Sequence, residues 1–404
     1  MKGRGWILLC VFLATLGLGF YGPVFLANRR SELEVRAWYR DAQEKASPWD
    51  RSHADEELIL RVQQLRTALQ EAYQSQSELS LDAFPGEAVE AFLENGALDA
   101  TEAMRDTEKP CEVLEQVLQG HEDLLEDPAY RLSRIPEPSS LEAVQLGMEK
   151  HWAIHVWVDL LIFTVAANPS AGEAPSRLGL ALDLARLTDN GVLVGSMRRA
   201  YLDDKVRVAA HLLLKHGSIS PVELRAAIEP RLVRSATLAF AAQSIESEQL
   251  FFTEALSKFA GEEPICAGFS GDYAPLMDLA HALELALVSS RESPSTYLAY
   301  VQAQPPESNS NEIFDSYLRS LHIQFAMSQM LRIELALAAH HEKEGTWPER
   351  LSELTPYFPD GVPLDPHTDS DFPYESQGDQ MSLGPPAAAS LGGVALETFI
   401  RSLP

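Results

Sequence analysis

Basic residues are scarce in this chain. Lys and Arg number 32 against 59 Asp and Glu, and the net charge is −27. No run of Lys or Arg exceeds two residues. Nucleic-acid binding rests on neutralising phosphates, so a nucleic-acid partner is not expected. Cysteine is scarcer still, with 3 in 404 residues, too few for a disulfide scaffold. Cys10 lies in an apolar N-terminal stretch. Cys111 and Cys266 read as buried free thiols, although an oxidising compartment would let them pair if the fold brought them together. Catalytic signatures are missing as well. There is no P-loop, no C-x-x-C and no H-E-x-x-H, and the stretch Gly268–Asp272 (GFSGD) is not G-x-S-x-G. Gly17–Gly22 does spell G-x-G-x-x-G, but Pro23 follows it inside an apolar run. The strand before, helix after and distant acid that a dinucleotide site needs are not there.

Apolar residues make up 46% of the chain, and 404 residues are enough for two or three packed units. From Trp6 to Ala27 no residue is charged; Lys2 and Arg4 precede this run and Arg29 and Arg30 follow it. A spanning helix needs about 20 such residues, whereas a cleaved signal has a core of roughly 7–15 and a small-x-small exit. Phe25-Leu26-Ala27 does not give that exit cleanly. The expectation is an uncleaved anchor, N-terminus inside and the bulk of the chain outside the cytoplasmic membrane, in the periplasm.

The middle of the chain reads as helical. Leu33–Trp49 is a juxtamembrane helix or linker, and Asp55–Gln74 a helix with Leu58, Val62, Leu65 and Leu69 on one side. Shorter helices are expected over 87–94 and 112–119, broken by Pro85-Gly86, Asn95-Gly96, Pro110 and Pro128. Residues 135–142 form a linker and helix start. Leu141–Ala167 is apolar enough to raise the question of a second span. His155 and Asp159 within the short stretch Trp152–Ala167 favour a buried core helix instead. A loop over 168–176 leads to helices at 177–187, 195–215 and 221–229, with turns at Asn190-Gly191 and Gly217-Ser218; short loops between such helices make antiparallel hairpins. Further helices are expected at 237–259 and 276–290, with a Pro/Gly-rich loop at 262–275. Residues 293–311, with Pro294, Pro305 and Pro306, read as a boundary. No fixed repeat period is found.

The richest pattern lies at 331–366. Ile313–Glu344 contains no Pro or Gly and carries apolar residues on more than one side, which predicts a helix of about 48 Å wrapped by partners. Gly345 falls where a left-handed C-cap is needed, Lys343 complements the helix dipole, and Pro348 suits the start of a short helix that Pro356 stops. Trp347, Tyr357 and Phe358 are large enough to pin this corner onto the long helix. Beyond it, 372–376 and 380–383 form a candidate β-hairpin across Gln377-Gly378-Asp379. Pro385–Ala389 reads as a linker and Val394–Leu403 as a closing helix.

Gly345, Trp347, Pro348, Leu351, Leu354, Pro356, Pro363, Asp365, Pro366 and Tyr374 together resemble the C-terminal part of the major pseudopilins of type II secretion. More closely, the chain resembles uncharacterised bacterial single-anchor envelope proteins with a helical middle and this same end. The resemblance covers roughly the last quarter of the chain, and 180–228 is similar in style to the helical part of that group. The N-terminus departs from pseudopilins: MKGRGW lacks the processing Gly-Phe and the Glu at the fifth mature position. A pilus subunit is therefore not implied.

Three constellations remain. His151, His155 and Asp159 share one helix face, where a metal-binding trio and a polar seam between helices are the two readings, the seam favoured. His340-His341 ends the long helix, where imidazoles cap carbonyls or stay exposed. Asp365, Asp369 and Asp371 give an acidic loop that is either solvated or, as in some pseudopilins, a calcium site. No catalytic, cofactor-binding or metal-binding residue is assigned, and no cofactor.

The expected fold is mainly α: a transmembrane anchor (1–30), a juxtamembrane and irregular helical region (31–138), an antiparallel helical-hairpin body (139–292), and a long helix with a small C-terminal region (311–404). The expected function is that of a membrane-anchored envelope protein, held in the membrane through 6–27 and acting through contacts with unknown protein partners. The alternatives are an extracytoplasmic hydrolase or metal enzyme built on the 141–167 helix, and a pseudopilin-like secretion component.

Overall fold

The computed structural model describes residues 56–77, 85–98, 107–126, 141–188, 193–235, 245, 293–303, 312–391 and 401–403. The run 6–27, residues 33–49, the linker at 135–140, the turn at Asn190-Gly191, the loop at 262–275 and the helix expected at 276–290 lie outside them. So does the helix expected at 237–259, apart from Ile245. The described chain is mainly helical, with one small antiparallel sheet of three strands.

Ten helices are labelled in chain order: α1 Glu56–Ser77, α2 Gly86–Asn95, α3 Glu108–Gln119, α4 Glu122–Glu126, α5 Leu141–Ala167, α6 Ala174–Ala185, α7 Leu193–Lys215, α8 Pro221–Ser235, α9 Pro294–Ala303 and α10 Glu312–Glu344. Helix α5 lies at the centre. It packs on α1, α2, α6 and α7, and Ile154, Trp157, Val158, Leu160 and Ile162 are buried on several of its sides. A helix apolar all round must be covered all round, and from Trp157 to Val165 every residue is buried by the surrounding protein. The Trp157 indole N–H donates to the Leu69 carbonyl on α1 at 3.0 Å. No helix among the described residues is long and apolar enough to cross a membrane.

Helix α10 is the second organiser. From Met330 to Ala339 only Arg332 is not buried. Its partners are α7, α8 and two short 3-10 helices, Leu351–Tyr357 and Ala387–Leu391. Polar ties cross this buried interface. Arg207 on α7 donates to the Ser328 hydroxyl at 2.7 Å and the Gln324 carbonyl at 2.8 Å. His211 Nδ1 stands 3.1 Å from Glu334 Oε1. One apolar core runs from Leu58 on α1 to Leu403 near the C-terminus; a smaller one gathers Ile245, Tyr297, Leu298, Leu318, Ala326, Ala388 and Leu391.

The prolines account for most departures from expectation. Pro110 lies in the first turn of α3, where its missing N–H has no intrahelical partner to lose. Pro175 does the same for α6, which starts at Ala174 rather than 177. Pro294 opens α9 inside the expected boundary segment. Ser293 accepts the Thr296 N–H on its hydroxyl at 3.2 Å, an N-cap for that helix. Helix α8 continues through Pro230 to Ser235 instead of ending at Glu229. Buried Leu232 and the Arg231–Asp183 pair, 2.8 Å from Nε to Oδ2, hold its last turn against the lost bond. The helix α4 was not expected.

At the corner, Gly345 takes φ +75° and its N–H reaches the His341 carbonyl at 2.9 Å. Trp347 is buried, stacks on His341 at 4.1 Å between ring centroids, and donates from its indole to the Asp379 carbonyl at 2.9 Å. The short helix that follows starts at Leu351, not Pro348. It is a 3-10 helix capped by Arg350, whose N–H meets the Glu353 carboxylate at 3.0 Å, and Pro356 sits inside it rather than ending it.

The hairpin forms with β1 Tyr374–Gln377 and β2 Gln380–Leu383 across Gly378, φ +59°. Tyr374 pairs with Leu383 and Gln377 with Gln380. Two expectations beyond it fail. Residues 387–391 are a packed 3-10 helix with Ala388, Ala389 and Leu391 buried, not a linker. Arg401–Leu403 is strand β3, antiparallel to β2 with Leu403 opposite Met381, not the end of a helix. Met381, Leu383 and Leu403 all join the main core, and that shared apolar face favours a strand.

Candidate functional site

The sequence places His151, His155 and Asp159 on one face of α5, and the fold treats them differently. His151 is fully buried. His155 and Asp159 meet Lys205, which α7 delivers from 46 residues further on. The Lys205 ammonium lies 2.7 Å from Asp159 Oδ1, 2.7 Å from Glu90 Oε1 and 3.2 Å from His155 Nε2. His155 Nε2 is also 3.2 Å from Asp159 Oδ2. The cation between His155 and Asp159 is thus an ammonium. Among the described residues, no group of three His, Cys, Asp or Glu side chains is gathered as a metal site.

The electrostatics of the cluster follow from this geometry. Burial opposes the charge on Lys205, but Asp159 and the hydrogen bonds to Asp159 and Glu90 outweigh it and hold the ammonium above its ordinary pKa. Burial likewise works against the Glu90 charge, and the hydrogen bonds from Lys205 and Tyr201 outweigh it, so Glu90 stays ionised below its usual value. The Tyr201 phenol is pushed up, first by burial and then by its 2.9 Å bond to Glu90. The ammonium is held between two carboxylates at 2.7 Å, with the His155 ring beside it. Lys205 is a brace between α5, α2 and α7, not a free amine nucleophile.

What the cluster leaves open is its outer edge. Trp152 is 53% exposed, Tyr201 46% and Met197, one turn before Tyr201, 43%. Trp152 and Tyr201 each place a ring centroid 5.5 Å from that of His155. This forms a continuous strip, Trp152–His155–Tyr201–Glu90, across three helices. Sequence reasoning found His155 and Asp159 but missed Lys205, Tyr201 and Glu90. The only signal was a lysine and a tyrosine four apart on a helix otherwise rich in buried residues.

The other candidates disperse or change role. Asp365 is buried: Oδ1 accepts the His367 N–H at 2.9 Å and Oδ2 the Ala387 N–H at 2.6 Å. Asp369, at φ +51°, and Asp371 are exposed on the loop. Asp365, Asp369 and Asp371 are thus not gathered into a metal-type group among the described residues. His341 stacks on Trp347 and His340 lies edge-on to Tyr357 at 6.2 Å, so both rings serve the corner. Cys111 is half-buried with its thiol pKa raised by burial. A cavity of about 440 Å³ between the end of α7 and the sheet is lined by Lys215, His216, Glu375 and Gln377 among others. It holds none of the sequence candidates. No protein-family model, curated protein or solved structure matches the chain.

Proposed function

We propose that this chain is a membrane-anchored envelope protein that works through protein contacts, with the strip around Trp152 and Tyr201 as its contact face. The observation that carries this reading is the exposure of two large aromatic rings, one on either side of His155, on otherwise well-packed helices. Trp and Tyr are the residues that dominate interface energetics, and they need a reason to stand in water. The uncharged run 6–27 and the C-terminal resemblance support the location. The pairing of Lys205 to Asp159 and Glu90 supports a bracing role for it beneath that face.

The test is a photoreactive amino acid at position 197 in the living cell, with a second at exposed Val222 on α8 as the comparison. A discrete adduct at 197, lost in W152A and Y201A, is the expected result. Adducts at 222 and none at 197 would overturn the assignment of this face.

A second reading, an extracytoplasmic hydrolase or metal enzyme, draws on the 3.2 Å approach of His155 Nε2 to Asp159 Oδ2, a pair that would hold a metal only in place of the Lys205 ammonium. Stoichiometric zinc or iron in the purified protein, lost in H155A, is the result that would establish it.

A further inference from the structure

The contact face has a sign. Helix α2 carries Glu87, Glu90 and Glu94, which at steps of three and four share one side of the helix. All three are exposed, while Ala88, Val89 and Phe92 turn inward. This edge joins the aromatic strip directly, because Glu90 accepts the Tyr201 hydroxyl at 2.9 Å. Lys205 does not cancel it. That ammonium is 4% exposed and sits between Asp159 below and Glu90 above, one cation to two carboxylates. Lys205 also approaches the Tyr201 ring, 5.2 Å from its centroid, so the ring is already in use as a cation platform from within.

We propose that the partner of this face is a basic segment of another protein that lays an arginine or lysine across Trp152 and Tyr201 and pairs it with Glu90. This rests on the contact-face reading above and adds the partner's chemistry. A guanidinium fits best: it is planar, stacks on aromatic faces and forks onto a carboxylate. Around it, Glu87 and Glu94 receive further basic residues. The net charge of −27 on the whole chain steers such a segment inward at long range. Because Glu87 and Glu94 are exposed, their share of the attraction is screened by salt, whereas the stacking is not.

The test uses the full chain in detergent and short fluorescein-labelled Gly-Ser peptides with a central Arg-Gly-Arg. In the matched control, citrulline keeps the shape and removes the charge. The arginine peptide should bind about tenfold or more tighter than the citrulline peptide, and W152A, Y201A and E90Q should each remove most of that margin. The double variant E87Q/E94Q should flatten the salt dependence. Unchanged melting temperatures would show that these surface variants remain folded.

Equal binding of the two peptides, or arginine binding untouched by W152A, overturns the basic-partner proposal. The contact face then still stands if the adduct at position 197 forms and needs Trp152. Concentration-dependent self-association lost in W152A, with no preference for arginine, overturns it in favour of a second copy of this chain.

Discussion

Gly345 and Trp347 are where single residues decide most. The backbone at Gly345 sits at φ +75° with nothing within 4 Å of where a Cβ would stand. The cost of a side chain there is therefore conformational, not steric crowding by neighbours. Gly345→Val should lower stability by about 1 kcal/mol or more, read as a drop in melting temperature. Trp347 is 7% exposed and its indole N–H is bonded to Asp379. Trp347→Ala should cost about 3–5 kcal/mol, since it leaves both a cavity and an unpaired carbonyl. An unchanged melting temperature in Trp347→Ala would refute the corner as a structural lock. Tyr374 secures the same corner from β1. Its hydroxyl donates to the Pro348 carbonyl at 2.8 Å, and burial pushes the phenol up to about 12.

Between elements, a buried imidazole pair ties the C-terminal segment to the long helix. His322 on α10 and His367 in the 363–372 loop place Nδ1 and Nε2 3.0 Å apart. One ring must donate and the other accept, so the bond requires a neutral acceptor. Tyr297 on α9 stacks on His322 at 4.0 Å, and Asp365 stands 3.6 Å from His367 Nδ1 while capping the Ala387 N–H of the last 3-10 helix. Burial, then the neighbouring His367, pushes His322 from an ordinary 6.5 down to about 3. The unfolded chain therefore takes up a proton that the folded chain refuses. Stability is full above pH 6.5 and falls as pH drops from 6.5 towards 3. Asp365 adds to the same trend. Burial opposes its charge, but the His367 ring and the Ala387 and His367 N–H groups outweigh it and lower its pKa. Its contribution is lost as pH falls through that lowered value. His322→Gln should flatten the dependence of melting temperature on pH between 7.5 and 5. A slope identical to the wild type would remove His322 from the account.

For the whole molecule, the expected anchor gives the broadest prediction. A protein held through 6–27 should remain in the membrane pellet after carbonate extraction and should keep its N-terminus. Release by carbonate, or an intact mass beginning near Asn28, would overturn the anchored reading. Local chemistry was enough to announce much of the fold. Recurring apolar positions gave α1 and α10, an apolar run too short and too polar for lipid gave α5, and the turn signals at Asn190-Gly191 and Gly217-Ser218 bounded α7. The absence of Pro and Gly gave the unbroken length of α10, and Gly345 and Gly378 gave its end and the hairpin turn. These signals are legible because helix period, caps and turns depend on neighbours a few residues away. Other features depend on distant partners. Pro230 stays helical because Asp183 and the core hold the turn beyond it. Residues 401–403 become a strand because β2 offers an edge and an apolar face. The site is the sharpest case. His155 and Asp159 are one turn apart, and sequence places them together. Lys205, Tyr201 and Glu90 join them only because α2, α5 and α7 pack against one another, and no local pattern encodes which helices will meet.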